Sequence, residues 1–247
     1  MTNTGPTIIT GDLGVSPGTS CTGFPAPCTG GLGVVIGTIY TGAGSLAGPA
    51  QSAALVAYND LVAEPCGTKL TGLILGTSPG AVTLSPGVYC FPATAQLTGT
   101  LTLSGSGVYV FQIGSTLTTA SDSSVVLANG ATAANVFWQV GSSATLGTDT
   151  VFVGSILAKA SDTVTTGTSV TGRVFALTGA VTLDDNVITV AAPPLGNRAR
   201  TSRPAAGSSP GHPAARRTLA LKLDASAPKT KTARWVGRSF TMTKAST

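Results

Sequence analysis

Through the first 190 positions, apolar residues alternate with threonine, serine and glycine in runs of three to five, too short and too often broken for helices. Thr7-Ile8-Ile9-Thr10, Gly33-Val34-Val35-Ile36, Gly87-Val88-Tyr89-Cys90-Phe91 and Val108 to Ile113 all read as short strands between turn signals. Some of these runs repeat. Residues 142–159 align with 160–177, placing Thr145 over Thr163, Thr148 over Thr166, Thr150 over Thr168 and Trp138 over Ile156 and Val174, each 18 apart. An 18-residue unit cannot hold a helix pair but does hold three short strands, so the period predicts the stacked coils of a parallel β-solenoid. Gln112 and Gln139 are 27 apart in similar contexts, which predicts one coil with an expanded loop.

One segment breaks the alternation. Between Ser45 and Pro65, Leu55, Tyr58, Leu61 and Val62 fall on one helical face and Pro49 suits a first turn, predicting a single helix over about 49–64 lying against a flank of the solenoid. Phe111, Phe137, Trp138 and Phe152 are expected to fill the core. Cys21, Cys28, Cys66 and Cys90 form no CxxC pair of the kind a zinc site uses. The expected pairing is Cys21 with Cys28 across the intervening turn and Cys66 with Cys90 after the helix, with unbonded structural thiols as the alternative. Disulfides would place the chain in an oxidising compartment.

Charge divides the chain in two. Only 9% of residues are charged, and before residue 191 three bases, Lys69, Lys159 and Arg173, stand against eight acids. The remaining eleven of the fourteen bases follow, opposed only by Asp224. Residues 191–247, rich in Pro, Ala, Ser, Arg and Lys without a helix or strand period, are expected to be a disordered basic tail. A solvated linker and a contact with a polyanionic wall polymer are its two readings. The opening Met1-Thr2-Asn3-Thr4-Gly5 has neither the basic nor the apolar part of a signal peptide, so an export signal is expected to have been removed or the start displaced. No apolar run is long enough for a membrane-spanning helix.

Composition also weakens several chemistries. His212, the sole histidine, sits in the tail, leaving no material for a histidine-based triad or metal site in residues 1–190. Asp184 and Asp185 are adjacent, and strand alternation would turn neighbours to opposite sides, which does not suit the paired carboxylates of a polysaccharide-active enzyme. Asp162, Asp184 and Asp185 are expected to be loop carboxylates that solvate turns rather than calcium ligands. Gly11-Asp12-Leu13-Gly14 opens no helix and so makes no phosphate cradle. An acidic folded part does not suit nucleic acid.

What remains is the threonine grid. A stiff side chain bearing one methyl and one hydroxyl, repeated about every 4.8 Å between coils and about every 6.6 Å along a strand, makes a surface that can hold ordered water. Long charged side chains would disrupt that order. These spacings lie close to oxygen spacings in ice planes; the plain alternative is that threonine merely favours strands on a solvated face.

Residues 2–18 resemble the opening of the microbial ice-binding (antifreeze) protein family. Ser85-Pro86-Gly87-Val88-Tyr89, Phe111-Gln112-Ile113-Gly114-Ser115 and Phe137-Trp138-Gln139-Val140-Gly141-Ser142 extend the likeness over nearly all of 2–190. The resemblance implies a right-handed, discontinuous parallel β-solenoid of triangular section with one long helix alongside. It also implies adsorption to ice through one flat face, with no catalysis and no cofactor. Active members carry Thr-Ala/Gly-X-Thr/Asn on that face. Thr4-Gly5-Pro6-Thr7 matches it fully, Thr166-Gly167-Thr168-Ser169 at three positions, Thr98-Gly99-Thr100-Leu101 partially, and Thr148-Asp149-Thr150-Val151 least.

The expected ice-binding residues are therefore Thr4, Thr7, Thr98, Thr100, Thr148, Thr150, Thr166, Thr168 and Ser169. Strand parity qualifies the set: if Phe152 and Val170 point inward, Thr150 and Thr168 do too, leaving Val151 and Ser169 outward. The expected protein is a monomer, secreted or at the cell surface, whose partner is the ice crystal. The alternative is a structural or adhesive surface protein gripping the wall through its tail. Chains of the resembled family usually have a further strand segment ahead of the Thr2 region, so part of a coil is expected to be missing here, and restoring it to raise the melting temperature.

Overall fold

The computed structural model describes residues 1–78 and 81–191. The expected basic tail beyond Ala191 lies outside the described residues. The described residues form stacked coils of parallel strands with one α-helix among them, as the 18-residue period predicts.

Each coil has three sides. The first is a narrow sheet of short strands in the order Thr2–Asn3, Val181–Leu183, Asp162–Val164, Ala144–Leu146, Leu117–Thr119 and Ala95–Leu97. The other two are halves of a broad twelve-stranded sheet. Val151–Ala158 and Ser169–Ala176 run through both halves. They change direction at Gly154, whose φ of +112° is open to glycine and costly for any residue with a Cβ. Gly172 stacks directly on it, and a Cβ there would collide with the Gly154 carbonyl. In the coil with the 27-residue spacing, strand Ser124–Ala128 ends early and a loop with a short 3₁₀ turn, Ala133–Asn135, leads into Val136–Val140.

The chain does not wind continuously. Ile8–Thr10 pairs with Val187–Thr189, and Val34–Ile36 adds outside it, so residues 1–44 stack on the last coil rather than on the next in sequence. Helix α1 (Ala47–Ala63) then carries the chain along the solenoid. Gln51 Nε2 donates to the Leu177 carbonyl (3.0 Å) near one helix end, while Gln112 Nε2 donates to the carbonyls of Leu61 and Glu64 (2.7 Å each) at the other. Those two carbonyls belong to the helix C-terminus, where no intrahelical donor reaches them.

The buried face of α1 differs from expectation. Ala47, Ala54, Ala57 and Tyr58 are buried, whereas Leu55 and Val62 are 49% and 52% exposed. Only Tyr58 of the expected stripe is fully covered. The alanines let the helix axis approach a flank already filled by bulky outward residues such as Phe137 and Leu157, so volume comes from the sheet rather than the helix.

Inside, Tyr89, Phe111, Trp138 and Phe152 form a ladder through successive coils, with ring centroids 5.5, 3.9 and 4.9 Å apart. Phe111 and Trp138 are stacked at 8°, and the indole Nε1 donates to the Val153 carbonyl (2.9 Å), which satisfies its one polar atom in the core. Leucine, isoleucine and valine from all three sides fill the rest. Disulfides join Cys21 to Cys28 and Cys66 to Cys90.

Asp162 departs most sharply from expectation. It is no turn carboxylate: it lies on strand Asp162–Val164 between Ala144 and Val181 of the neighbouring strands, 1% exposed, and neither carboxyl oxygen has a hydrogen-bond partner. Parity decides this, because Thr163 takes the outward position and its neighbour must turn inward. Burial pushes the Asp162 carboxyl up to about 7.

Candidate functional site

α1 covers the second half of the broad sheet, leaving the first half and the narrow sheet open. On the first half, register aligns outward side chains into two columns. One contains Thr100 beside Ser124, then Val151, Ser169, Val187, Ile8 and Val34. The other contains Thr83, Thr102 and Val126 and, past Val153, which is buried at 8% exposure, Thr171, Thr189, Thr10 and Ile36. Every one of these is Thr, Ser, Val or Ile, and none is charged. Ile8, Val34, Ile36, Val126, Val151 and Val187 are exposed hydrophobics. A row of solvent-facing β-branched hydrocarbon among hydroxyls is an interaction surface rather than an ordinary solvated one.

At the corner between the narrow sheet and this face, several coils place a residue in the left-handed region. Asp122, Asp149 and Asp185 (φ 58°, 56° and 51°) supply it in three coils, and Gly99 and Gly167 (φ 75° and 73°) in two others. Aspartate tolerates that conformation better than most residues, so the acids at this edge serve the backbone turn. Asp184 beside them accepts hydroxyl bonds from Thr166 (2.6 Å) and Thr4 (2.9 Å), which hold its carboxyl below the usual aspartate range. Among the described residues no cluster of His, Cys, Asp or Glu is placed to hold a metal.

The residues singled out in the sequence separate here into three groups. Thr4, Thr148 and Thr166 are exposed along the corner, with Thr148 Oγ1 3.5 Å from Thr165 Oγ1, and Thr98, half-buried there, faces Gln96 Nε2 at 3.3 Å. Thr100 and Ser169 belong to the first outward column, where Thr100 and Ser124 share a 2.9 Å hydroxyl bond. Thr7, Thr150 and Thr168 are 0% exposed and cannot meet anything outside the protein.

These three point inward because they precede an outward strand residue. Their hydroxyls are spent within the corner: Thr150 on Thr119 (2.8 Å), Thr168 on the Gly147 carbonyl (2.8 Å), and Thr7 as acceptor for the Asn186 amide (3.0 Å). The second threonine of each of these tetrads, Thr7, Thr150 and Thr168, is thus structural. Outward residues absent from the motif, Thr10, Thr102, Thr171 and Thr189, take its place on the face, and their signal was the two-residue step from Ser169 to Thr171 and its equivalents.

The family profile described as Ice-binding-like matches residues 1–189. An ice-binding protein of Nostoc sp. (strain HG1) is 52% identical over 193 residues, covering 76% of this chain and 67% of the relative. Ice-binding protein 1 of Shewanella frigidimarina (strain NCIMB 400) is 43% identical over 145 residues, covering 55% of this chain but 16% of that much longer protein. Among solved structures, an ice-binding protein from an Antarctic biological consortium aligns at a TM-score of 0.70 and 39% identity, covering 77% of this chain and 84% of that one.

Proposed function

The chain belongs to the Ice-binding-like family, and from that premise we propose that residues 1–190 adsorb to ice through the open half of the broad sheet and its corner. The observation that carries this reading is chemical uniformity: two outward columns spanning at least seven strands present only methyl and hydroxyl groups. Methyls favour caged water, hydroxyls pin that water to the backbone grid, and no long charged chain competes. β-branched side chains in a stacked sheet have little rotamer freedom to lose on binding, so the surface is preorganised for a rigid ligand.

Each contact is weak, but the strands hold all of them in register at once. Adsorbed molecules then force the ice front to grow as curved caps between them, which slows growth and recrystallisation. The contacting residues in this reading are Thr4, Thr98, Thr148 and Thr166 at the corner, and Thr100, Ser169, Thr171, Thr189 and Thr10 on the face, with Val151 and Val187 between. The two disulfides support an oxidising, extracellular setting. Among the described residues no helix is long and apolar enough to cross a membrane.

The test is thermal hysteresis and crystal shape for the whole chain beside a Thr171→Tyr variant whose circular dichroism and melting match wild type. A freezing gap and faceted crystals that vanish in the variant are expected. Unshaped crystals from folded wild-type protein would overturn the reading.

A further inference from the structure

The expanded loop of the coil with the 27-residue spacing opens on Ala128-Asn129-Gly130-Ala131. Asn129 and Gly130 both lie at positive φ (50° and 87°), and the Ala131 amide donates to the Ala128 carbonyl (3.0 Å), which makes a tight turn closed by one backbone bond. Asparagine tolerates the left-handed region and glycine enters it freely. Both central residues are exposed, and the Gly130 N–H has no hydrogen-bond partner among the described residues. The Asn129 side chain is held by one bond, from Nδ2 to Ser104 Oγ (2.8 Å).

The Gly130 nitrogen and Asn129 Cγ are an amide nucleophile and an amide electrophile that can close a five-membered ring, and glycine puts no side chain in the way. Nowhere else does the chain offer this pair. Its other asparagines, Asn3, Asn59, Asn135, Asn186 and Asn197, are followed by Thr4, Asp60, Val136, Val187 and Arg198, each with a side chain beside the attacking nitrogen. Asn3 and Asn186 are also buried.

We infer that Asn129 is a site of spontaneous deamidation, with hydroxide and water as the only co-reactants. Hydroxide takes the Gly130 amide proton and the nitrogen attacks Asn129 Cγ. The N–Cγ bond forms, the Cγ–Nδ2 bond breaks, and ammonia leaves with a proton returned from water, giving a cyclic imide. Water then opens the imide at Cγ to give aspartate, or at the backbone carbonyl to give isoaspartate, in which the chain runs through the former side chain. The balance is one water consumed and one ammonia released.

The native turn is not itself the reactive geometry. Ring closure needs Asn129 to rotate out of the left-handed well, which breaks the Ala131–Ala128 bond and the Ser104 bond, so a brief local opening suffices. Either product places a carboxylate beside the rung of Thr100–Ser104 and Ser124–Ala128, whose residues carry no charge. Isoaspartate also adds a backbone carbon just ahead of Ala133–Asn135, which packs on the strand holding buried Val153. Ageing of the chain thereby loosens this loop.

The experiment incubates the full chain, disulfides intact, at pH 6 and pH 8, digests it, and reads the peptide spanning Asn129 by mass spectrometry with aspartate and isoaspartate forms separated by chromatography. Gly130→Ala and Asn129→Gln run alongside, each checked for native melting; the second serves should Gly130→Ala not fold, because its longer side chain closes a larger ring. Wild type should convert at Asn129 ahead of the other asparagines, faster at pH 8 than at pH 6, with isoaspartate among the products. Each variant should convert at that position about tenfold more slowly, since nitrogen and carbonyl carbon meet less well. An Asn129 left intact in the folded chain while the same chain in urea converts there fully would overturn the inference. So would variants that keep pace with wild type, or aspartate formed without isoaspartate, which would mark direct hydrolysis instead.

Discussion

Replacing Asp162 by asparagine should flatten the dependence of stability on pH between about 4 and 7. The wild-type carboxyl is buried without a partner and titrates near 7 in the folded chain, against an ordinary value of 3.8. In that window the folded protein holds a proton that the unfolded chain has released. Stability from this site is therefore full below the unfolded value and is lost as pH rises towards 7. At about 1.4 kcal/mol per pH unit, an interval of about three units costs about 4 kcal/mol, or roughly 10 °C in Tm for a domain of this size.

The assay is chemical denaturation at pH 4.5, 6 and 8 with disulfides intact, read as the difference between wild type and variant. Taking the difference removes sites that titrate alike in both, including Asp184, whose lowered carboxyl acts in the opposite sense, losing stability as pH falls. The gap between Asp162→Asn and wild type should shift in the variant's favour by several kcal/mol from pH 4.5 to 8. Parallel curves across that range would refute the claim that a neutral carboxyl sits in this core.

Trp138→Ala removes the middle of the aromatic ladder at a fully buried position and should cost about 3–5 kcal/mol, measured by urea denaturation. Gln112→Leu leaves the carbonyls of Leu61 and Glu64 without their donor; a loss of about 1–2 kcal/mol is expected, with hydrogen exchange rising first in the last turn of α1. Opening the Cys66–Cys90 link by Cys→Ser at both positions frees a loop with 24 residues of separation and should cost about 3 kcal/mol, against about 2 for Cys21–Cys28 with a separation of 7. Guanidinium midpoints of the two double variants would check that order.

The solenoid was legible because strand alternation and the 18-residue period are local signals, and stacking converts both directly into geometry. Thr145 does lie beside Thr163, and Gln112 beside Gln139 despite the 27-residue gap. The discontinuity was not legible from periodicity, because the pairing of Ile9 with Ile188 is a matter of which end closes on which, and no short-range pattern encodes it. The helix was legible as a helix, but its buried face was misjudged: hydrophobicity favours Leu55 and Val62, while fit against an already bulky sheet favours alanine.

The candidate site was half legible for a similar reason. A motif of four consecutive residues crosses a corner where one threonine points out and the next relevant one points in, so composition marks the region and parity decides the contacts. Thr150 and Thr168 follow Phe152 and Val170 inward, as alternation requires.

A methyl-rich flat surface on parallel strands is also the kind of surface by which chains aggregate, so its exposure on this chain requires explanation. The backbone in these columns is already paired on both sides within the stack, leaving side chains rather than open ladders to meet a neighbour, except at the terminal rungs Val34–Ile36 and Thr83–Leu84. Hydroxyls interrupt the hydrocarbon at most rungs, which keeps the face wet against another protein's irregular surface. Against a crystal of water the same hydroxyls are not a penalty, because a rigid lattice can match a rigid grid at every rung at once. Selectivity for a solid over a soft partner thus follows from stiffness and regularity more than from hydrophobicity. Substitutions that keep the volume and methyl but break the register of the columns, such as a one-residue insertion in the corner at Asp149, should therefore weaken ice adsorption more than Val151→Thr, which keeps the grid and changes only its chemistry.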